Sequence, residues 1–445
     1  GDTSWTWDGS ISYSRSDGDY TDEIIYEDSI FDSEWLTGLG PRAAGGSGTC
    51  VGTVSSVRGA PCVDIPWFSP DLMNGVLSDE LRSFLFGVET GSTKYTQMSV
   101  DFSATGDLFE LPAGTLAMAA GFHYREDEIV DTPGEVTLAQ NTWGSSAAGI
   151  TEGSDETTAV FVEFDAPLLA DIPAIQNLTL NASARYTDVS SYGDDTTWKI
   201  GVNWQIIDSL RLRANRGTSF RTPALFELFL SDQTSFGSTR WDPCRNWGDA
   251  VAAGDITQTT ADNCAADQSS IGGPAAGFAP DYTGGTISPT LVTGGGFGIL
   301  EAETSDSSTI GLIWQPGFAA LSLSVDYFDI TVRDEVDQLG GSVIINECYA
   351  SPFGFSSGNN EPLCQLFDRS SANFGIDNIN DSFINIAEQT NRGYDYAFRW
   401  DTELGSVGQL GVDIRATQRL EDTRALFAET AEDLNGTIGY PEWVG

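Results

Sequence analysis

The chain has 445 residues, 65 acidic against 21 basic, and a formal net charge of −44. That balance repels a polyanion, and with no basic stripe to offset it a nucleic-acid partner is not expected. Hydrophobic residues make up 40%, too many for a disordered chain, yet no run approaches the ~20 apolar residues of a membrane helix.

A closed β-barrel stays open as a class, because strands that pair all round satisfy every backbone group in lipid. The pass along the chain finds about eleven strands by strict alternation of large apolar with small or polar residues. The first lies near 3–15, around Trp5-Thr6-Trp7. A long connection, 16–92, follows, with Cys50, Cys62 and a helical stretch Leu77–Leu85 that Ser78 can cap. Strands near 93–109 and 115–129 flank the turn Leu111-Pro112-Ala113-Gly114. In the first of these Met98, Val100 and Phe102 alternate with Ser99, Asp101 and Ser103.

After a connection at 130–154 come strands near 155–167 and 177–190, joined around Asp171-Ile172-Pro173. Strands near 196–206 and 209–217 meet at Ile207-Asp208. Between Trp198 and Ile206 every even position is large and apolar. The connection 218–301 carries Cys244 and Cys264, and its stretches Asp262–Asp267 and Gly272–Gly296 read as irregular loop. Strands near 302–315 and 320–334 flank Gln315-Pro316-Gly317. A connection at 335–382 holds Cys348 and Cys364, and strands near 383–401 and 407–420 flank Leu404-Gly405-Ser406.

Long and short connections alternate, apart from a short link at Tyr192-Gly193-Asp194. Barrels of the bacterial outer membrane have short periplasmic turns and longer loops outside; a soluble sandwich has no reason to sort its loops by parity. Trp204, Trp314 and Trp400 each lie close to a short turn, where a periplasmic rim would place indoles at the lipid–water interface. The reading is therefore an all-β, transmembrane antiparallel barrel. If Ile200 and Trp204 face lipid, then Lys199 and Asn203 face the lumen. By the same parity Arg185, Arg211, Arg213, Asn215, Arg221, Asp326, Asp413 and Arg415 line the lumen, with Glu227 a further lumen-facing candidate, where they would pair along the wall or guide an anionic substrate. Exposed to lipid instead, an Arg or Lys would cost about 2–4 kcal/mol at mid-membrane.

The six cysteines fall in three local pairs, Cys50 with Cys62, Cys244 with Cys264 and Cys348 with Cys364, each in a polar loop and none with Cys-x-x-Cys spacing. They read as loop disulfides of an oxidising compartment. Catalysis finds little support: His123 is the sole histidine, no Walker-type or dinucleotide loop is present, and 65 acidic residues make carboxylate pairs uninformative. No metal and no cofactor is expected.

Several motifs carry a resemblance. Arg213 through Phe229, with Ser219-Phe220-Arg221-Thr222-Pro223 and Glu227-Leu228-Phe229, resembles a strand end of the TonB-dependent receptors, with Thr222 in place of the usual Ala. Glu303-Thr304-Ser305 followed by Gly311, Asp326-Tyr327-Phe328-Asp329-Ile330 and Asn391-Arg392-Gly393-Tyr394-Asp395 resemble later strands of that family. Gly106–Gly114 and Gly121–Arg125 are similar to a subgroup with cysteine-stapled loops. The resemblance spans nearly the whole chain.

It implies one barrel domain over 1–445, partial, because such transporters have about 22 strands and a plugged lumen. The plug and its TonB-contacting segment are not seen, and both ends of the sequence read as cuts. The implied function is outer-membrane import of a scarce nutrient in a Gram-negative bacterium. A siderophore, cobalamin or carbohydrate would be the ligand, the TonB–ExbB–ExbD complex the energy source and outer-membrane lipid the surround. The family binds substrate at its outer loops, which makes Trp241, Trp247 and Tyr349 candidate contacts; the two tryptophans would equally pin the Cys244–Cys264 loop. The alternatives are a passive porin or adhesin barrel and a secreted β-rich carbohydrate-binding protein.

Overall fold

The computed structural model describes residues 4–31, 54–267, 273–352, 362–425 and 431–435. Its strands are β1 (Thr6–Ile25), β2 (Phe86–Leu111), β3 (Gly114–Thr132), β4 (Thr151–Ile172), β5 (Ile175–Val189), β6 (Gly193–Ile207), β7 (Leu210–Arg221), β8 (Gln233–Phe236), β9 (Thr290–Thr293), β10 (Glu303–Trp314), β11 (Ala320–Asp337), β12 (Phe367–Arg369), β13 (Ile376–Asn380), β14 (Ile384–Glu403), β15 (Gln409–Ala425) and β16 (Ala431–Asp433). Twelve of them form one sheet in the order β1-β2-β3-β4-β5-β6-β7-β10-β11-β14-β15-β16. Every neighbouring pair in it is antiparallel.

All eleven expected strands are present; β8, β9, β12, β13 and the three-residue β16 are additions. Several run further than the alternation suggested, most of all toward the long connections, while β4 also runs five residues further toward its short turn. β1 continues to Ile25, although its apolar positions Trp7, Ile11 and Tyr13 give way to Arg15, Asp17 and Asp19 on the same side. The backbone ladder does not need apolar side chains, so it outlasts the pattern that revealed it.

The buried residues lie mostly outside the large sheet. Ile200, Leu323 and Ile414, on its apolar face, are 43%, 37% and 55% exposed. No second layer of protein among the described residues covers that face. The main buried cluster sits instead in the long connections 222–302 and 338–383, which fold together. They supply β8, β9, β12 and β13 to a separate four-stranded sheet, in which β9 and β13 pair in parallel across the two connections. Cys244, Cys264, Phe278, Ile344, Ile345 and Ile379 centre its core.

Two stretches expected as irregular loop carry regular structure, and in 272–296 it is β9, at Thr290–Thr293. Residues 262–267, expected as irregular loop, fall largely within a helix, Gln258–Ala266, whose Thr257 side chain accepts from the Thr260 amide at 3.1 Å. Its buried face is Thr260, Ala261, Asn263 and Cys264, too small and polar to give an apolar period. A second helix, Gly341–Ala350, lies within the other connection. The helix expected near Ser78 is Asp79–Leu85, with the Ser78 hydroxyl accepting from the Leu81 amide at 3.2 Å.

Cys244–Cys264 and Cys348–Cys364 are disulfides, as the spacing suggested. Cys62 is also disulfide-bonded; its expected partner Cys50 lies outside the described residues. Mass mapping without reductant is expected to return Cys50–Cys62 beside the other two local pairs. A peptide joining Cys62 to any of the other four cysteines would reject it.

Candidate functional site

Residues paired directly across antiparallel strands share a face of the sheet. One polar row runs Thr179, Asn203, Arg213, Gly311, Asp326, Asp395, Thr417 across six strand pairs. The row beside it runs Leu178, Trp204, Leu212, Leu312, Val325, Tyr396 and is apolar throughout. The register puts Arg185, Lys199, Arg211, Asn215, Arg221, Asp413 and Arg415 on the same polar face as Asn203, Arg213 and Asp326.

The polar face is organised by short ion pairs. Arg213 reaches across β10 to grip Asp326 with Nε–Oδ1 at 2.7 Å and Nη2–Oδ2 at 2.8 Å. The strand between them contributes Gly311, where a Cβ would lie 1.8 Å from the Asp326 carboxylate. The glycine is therefore what lets the guanidinium cross. Asp326, Asp395, Arg399, Asp413 and Arg415 border a cavity of ≈ 720 Å³ with Arg213. Arg211 donates to Gln205 at 2.7 Å, Arg185 to Thr187 at 3.2 Å and Arg415 to Asp413 at 3.3 Å.

Arg221 closes the end of β7. It donates to Glu303 through Nε at 2.7 Å and to Glu227 through Nη1 at 3.0 Å, while Glu227 also accepts from the Ala224 amide at 2.7 Å. These bonds turn residues 222–229 back across the polar face. The Phe229 ring lies over Gly153 of β4, and the Ser231 amide donates to Thr151 at 3.0 Å. Beneath Thr222–Phe226 is a cavity of ≈ 540 Å³ that also touches Tyr95, His123, Arg125, Asp127 and Arg185. Sequence reading did not single out this cavity. It did find Arg221 and Glu227, but the other carboxylate on Arg221, Glu303, lies 82 residues from it and is assigned only by the register.

Trp204, Trp314 and Trp400 all project from the apolar face at the short-turn end. The Trp204 indole donates to the Ala174 carbonyl in the neighbouring turn at 2.9 Å. Trp5 and Trp7 stand at the same end, the latter 5.6 Å from the Phe102 ring. Their i, i+2 spacing at the start of a strand was the signal that would have added them.

Of the expected loop contacts, Trp241 and Trp247 are half-buried and Tyr349 is enclosed. Tyr349 is 0% exposed; its hydroxyl donates to Asp267 at 2.8 Å and accepts from Arg369 at 2.9 Å. Burial pushes this phenol well above its ordinary range, so it stays a donor. Arg369 in turn holds Asp242 with two bonds of 2.7 and 2.8 Å, and neither side chain is more than 3% exposed. Trp241 and Trp247 pack against this core, and the Trp247 indole donates to the Phe278 carbonyl at 2.9 Å. All three aromatics pack within the loop module.

A family model described as TonB dependent receptor-like, beta-barrel matches residues 1–445. Among curated proteins, the vitamin B12 transporter of Photobacterium profundum is 26% identical over 110 residues, 25% of this chain and 17% of that protein. Among solved structures, the siderophore receptor PirA of Acinetobacter baumannii is similar at 12% identity and a TM-score of 0.44, over 85% of this chain and 42% of its own. The ferric enterobactin receptor of Pseudomonas aeruginosa is similar at 13% and 0.45, over 84% and 40%. The chain thus spans less than half the length of these relatives.

Proposed function

Because the chain belongs to the TonB-dependent receptor-like β-barrel family, we propose that it forms part of the wall of an outer-membrane receptor that imports a scarce nutrient. The observation that carries this reading is the sheet with two unlike faces. One is apolar, uncovered and edged with tryptophans at the short-turn end; the other is lined with ion pairs and overlain by residues 222–229. In a Gram-negative outer membrane the first faces lipid and the second faces the lumen. The inward arginines and aspartates then dock a plug and line the path, and the joined loops stand outside as the ligand-contacting cap. A siderophore and vitamin B12 are the cargoes named for similar proteins; a carbohydrate is the third candidate. The TonB–ExbB–ExbD complex supplies the energy.

Deleting the parent gene is expected to abolish growth on the limiting nutrient, and deleting tonB is expected to do the same with the receptor present. Growth that survives loss of TonB but not loss of the receptor would replace active import with a passive pore.

A further inference from the structure

The ≈ 540 Å³ cavity on the polar face falls within the range of about 300–1,000 Å³ that small-molecule pockets occupy. Its two sides are unlike. The segment that covers it brings Pro223, Leu225 and Phe226, which are apolar. The wall of β3, β4 and β5 brings His123, Thr157 and Arg185, with the carboxylates of Asp127 and Asp155.

Both carboxylates are already engaged. Asp127 accepts from Arg125 at 2.6 and 3.0 Å, from Tyr95 at 2.6 Å and from Gln97 at 2.8 Å. Asp155 accepts from the Ser190 hydroxyl at 2.7 Å and from the Ser191 amide and hydroxyl at 3.1 and 2.9 Å. Arg185 differs. Its Nε donates to the Thr187 hydroxyl at 3.2 Å, and no carboxylate among the described residues pairs with it. The adjoining cavity of ≈ 340 Å³ also reaches Arg185, but it holds Lys199 and Glu163, whose charges offset each other. One positive charge is thus left over on this wall of a chain with a net charge of −44. A guanidinium holds a carboxylate through two parallel donors, which an ammonium does not. The other polar groups suit hydroxyls. His123 gives its Nδ1–H to Asp101 at 2.6 Å, because a carboxylate only accepts, and the neutral ring keeps Nε2 as an acceptor. The Thr157 and Thr222 hydroxyls have no partner among the described residues.

We infer that this cavity binds a carboxylated sugar, a uronic acid. Its carboxylate lies on Arg185, its hydroxyls on His123, Thr157 and Thr222, and a C–H face of the ring against Pro223 and Leu225. A sugar ring has the two sides that the cavity has, C–H groups on its face and hydroxyls at its edge. A neutral sugar leaves the guanidinium without a partner, and a fatty acid leaves the imidazole and the hydroxyls so. The inference rests on the reading of the polar face as the lumen of an importer, and narrows its cargo. The test is isothermal titration calorimetry of the full-length receptor in mild detergent. The probes are galacturonate and glucuronate, the neutral sugars galactose and glucose, and galactose 1-phosphate.

One of the two uronates is expected to bind about tenfold or more tighter than its neutral counterpart, the difference that one charge-assisted pair makes. Arg185→Gln is expected to abolish that preference and Arg185→Lys to keep part of it. Unchanged heat-modifiable mobility on a gel shows that each variant is folded. The site is overturned if the wild type binds neither uronate, binds the neutral sugars equally well, or binds galactose 1-phosphate more tightly than galacturonate. It is also overturned if the preference survives in folded Arg185→Gln. TonB-dependent growth on the limiting nutrient would in each of those cases leave the import reading standing. Uronate binding by a receptor whose growth phenotype does not need TonB would uphold the site and overturn active import.

Discussion

Arg369→Met is expected to unfold the loop module while the large sheet stays intact. The substitution removes the guanidinium that holds Asp242 and the Tyr349 hydroxyl. It leaves a carboxylate buried without its counter-ion, a loss of about 3–5 kcal/mol. That is large beside a module whose apolar core is one cluster around two disulfides. Limited proteolysis reads it directly: cuts within 222–302 and 338–383 should appear in the variant and not in the wild type. The double variant Arg369→Met, Asp242→Leu should recover much of the resistance, because it removes both charges at once. Equal resistance in wild type and Arg369→Met would mean that the pair does not hold the two connections together.

Val202→Arg is expected to impair membrane assembly far more than Asn203→Arg. The two positions are adjacent on β6, but Val202 pairs with Leu180 and Ala214, and Asn203 with Thr179 and Arg213. Adjacent residues of a strand point to opposite faces. At mid-membrane an outward arginine costs about 2–4 kcal/mol, whereas on the lumen side it meets water and polar neighbours. The comparison is made by the yield of heat-modifiable receptor in outer-membrane fractions. Similar yields for the two variants would show that the faces are assigned the wrong way round or that neither touches hydrocarbon.

These two sites differ in how far the sequence disclosed them. The facing of Val202 and Asn203 is written in a period of two that runs unbroken from Trp198 to Ile206, so the side of each residue follows from its parity alone. Arg369 gave no such signal. It is an arginine in a polar loop, 127 residues from the aspartate it binds, and nothing local to either predicts the pair. Tyr349 shows the same limit: an aromatic in a long loop reads as a ligand contact, but it belongs to a helix that the neighbouring connection covers.

The sequence by itself determined eleven strands of the large sheet, the sorting of long and short connections, the two faces and the local pairing of the described disulfides. These depend on periods and spacings within a few tens of residues, where side-chain direction is fixed by the backbone. The tertiary structure alone decided that β1 and β4 run well past their apolar pattern, that Gly311 opens the way from Arg213 to Asp326, and that two separate connections share one core. Those outcomes rest on contacts between distant segments, whose register is set only when the whole sheet is paired.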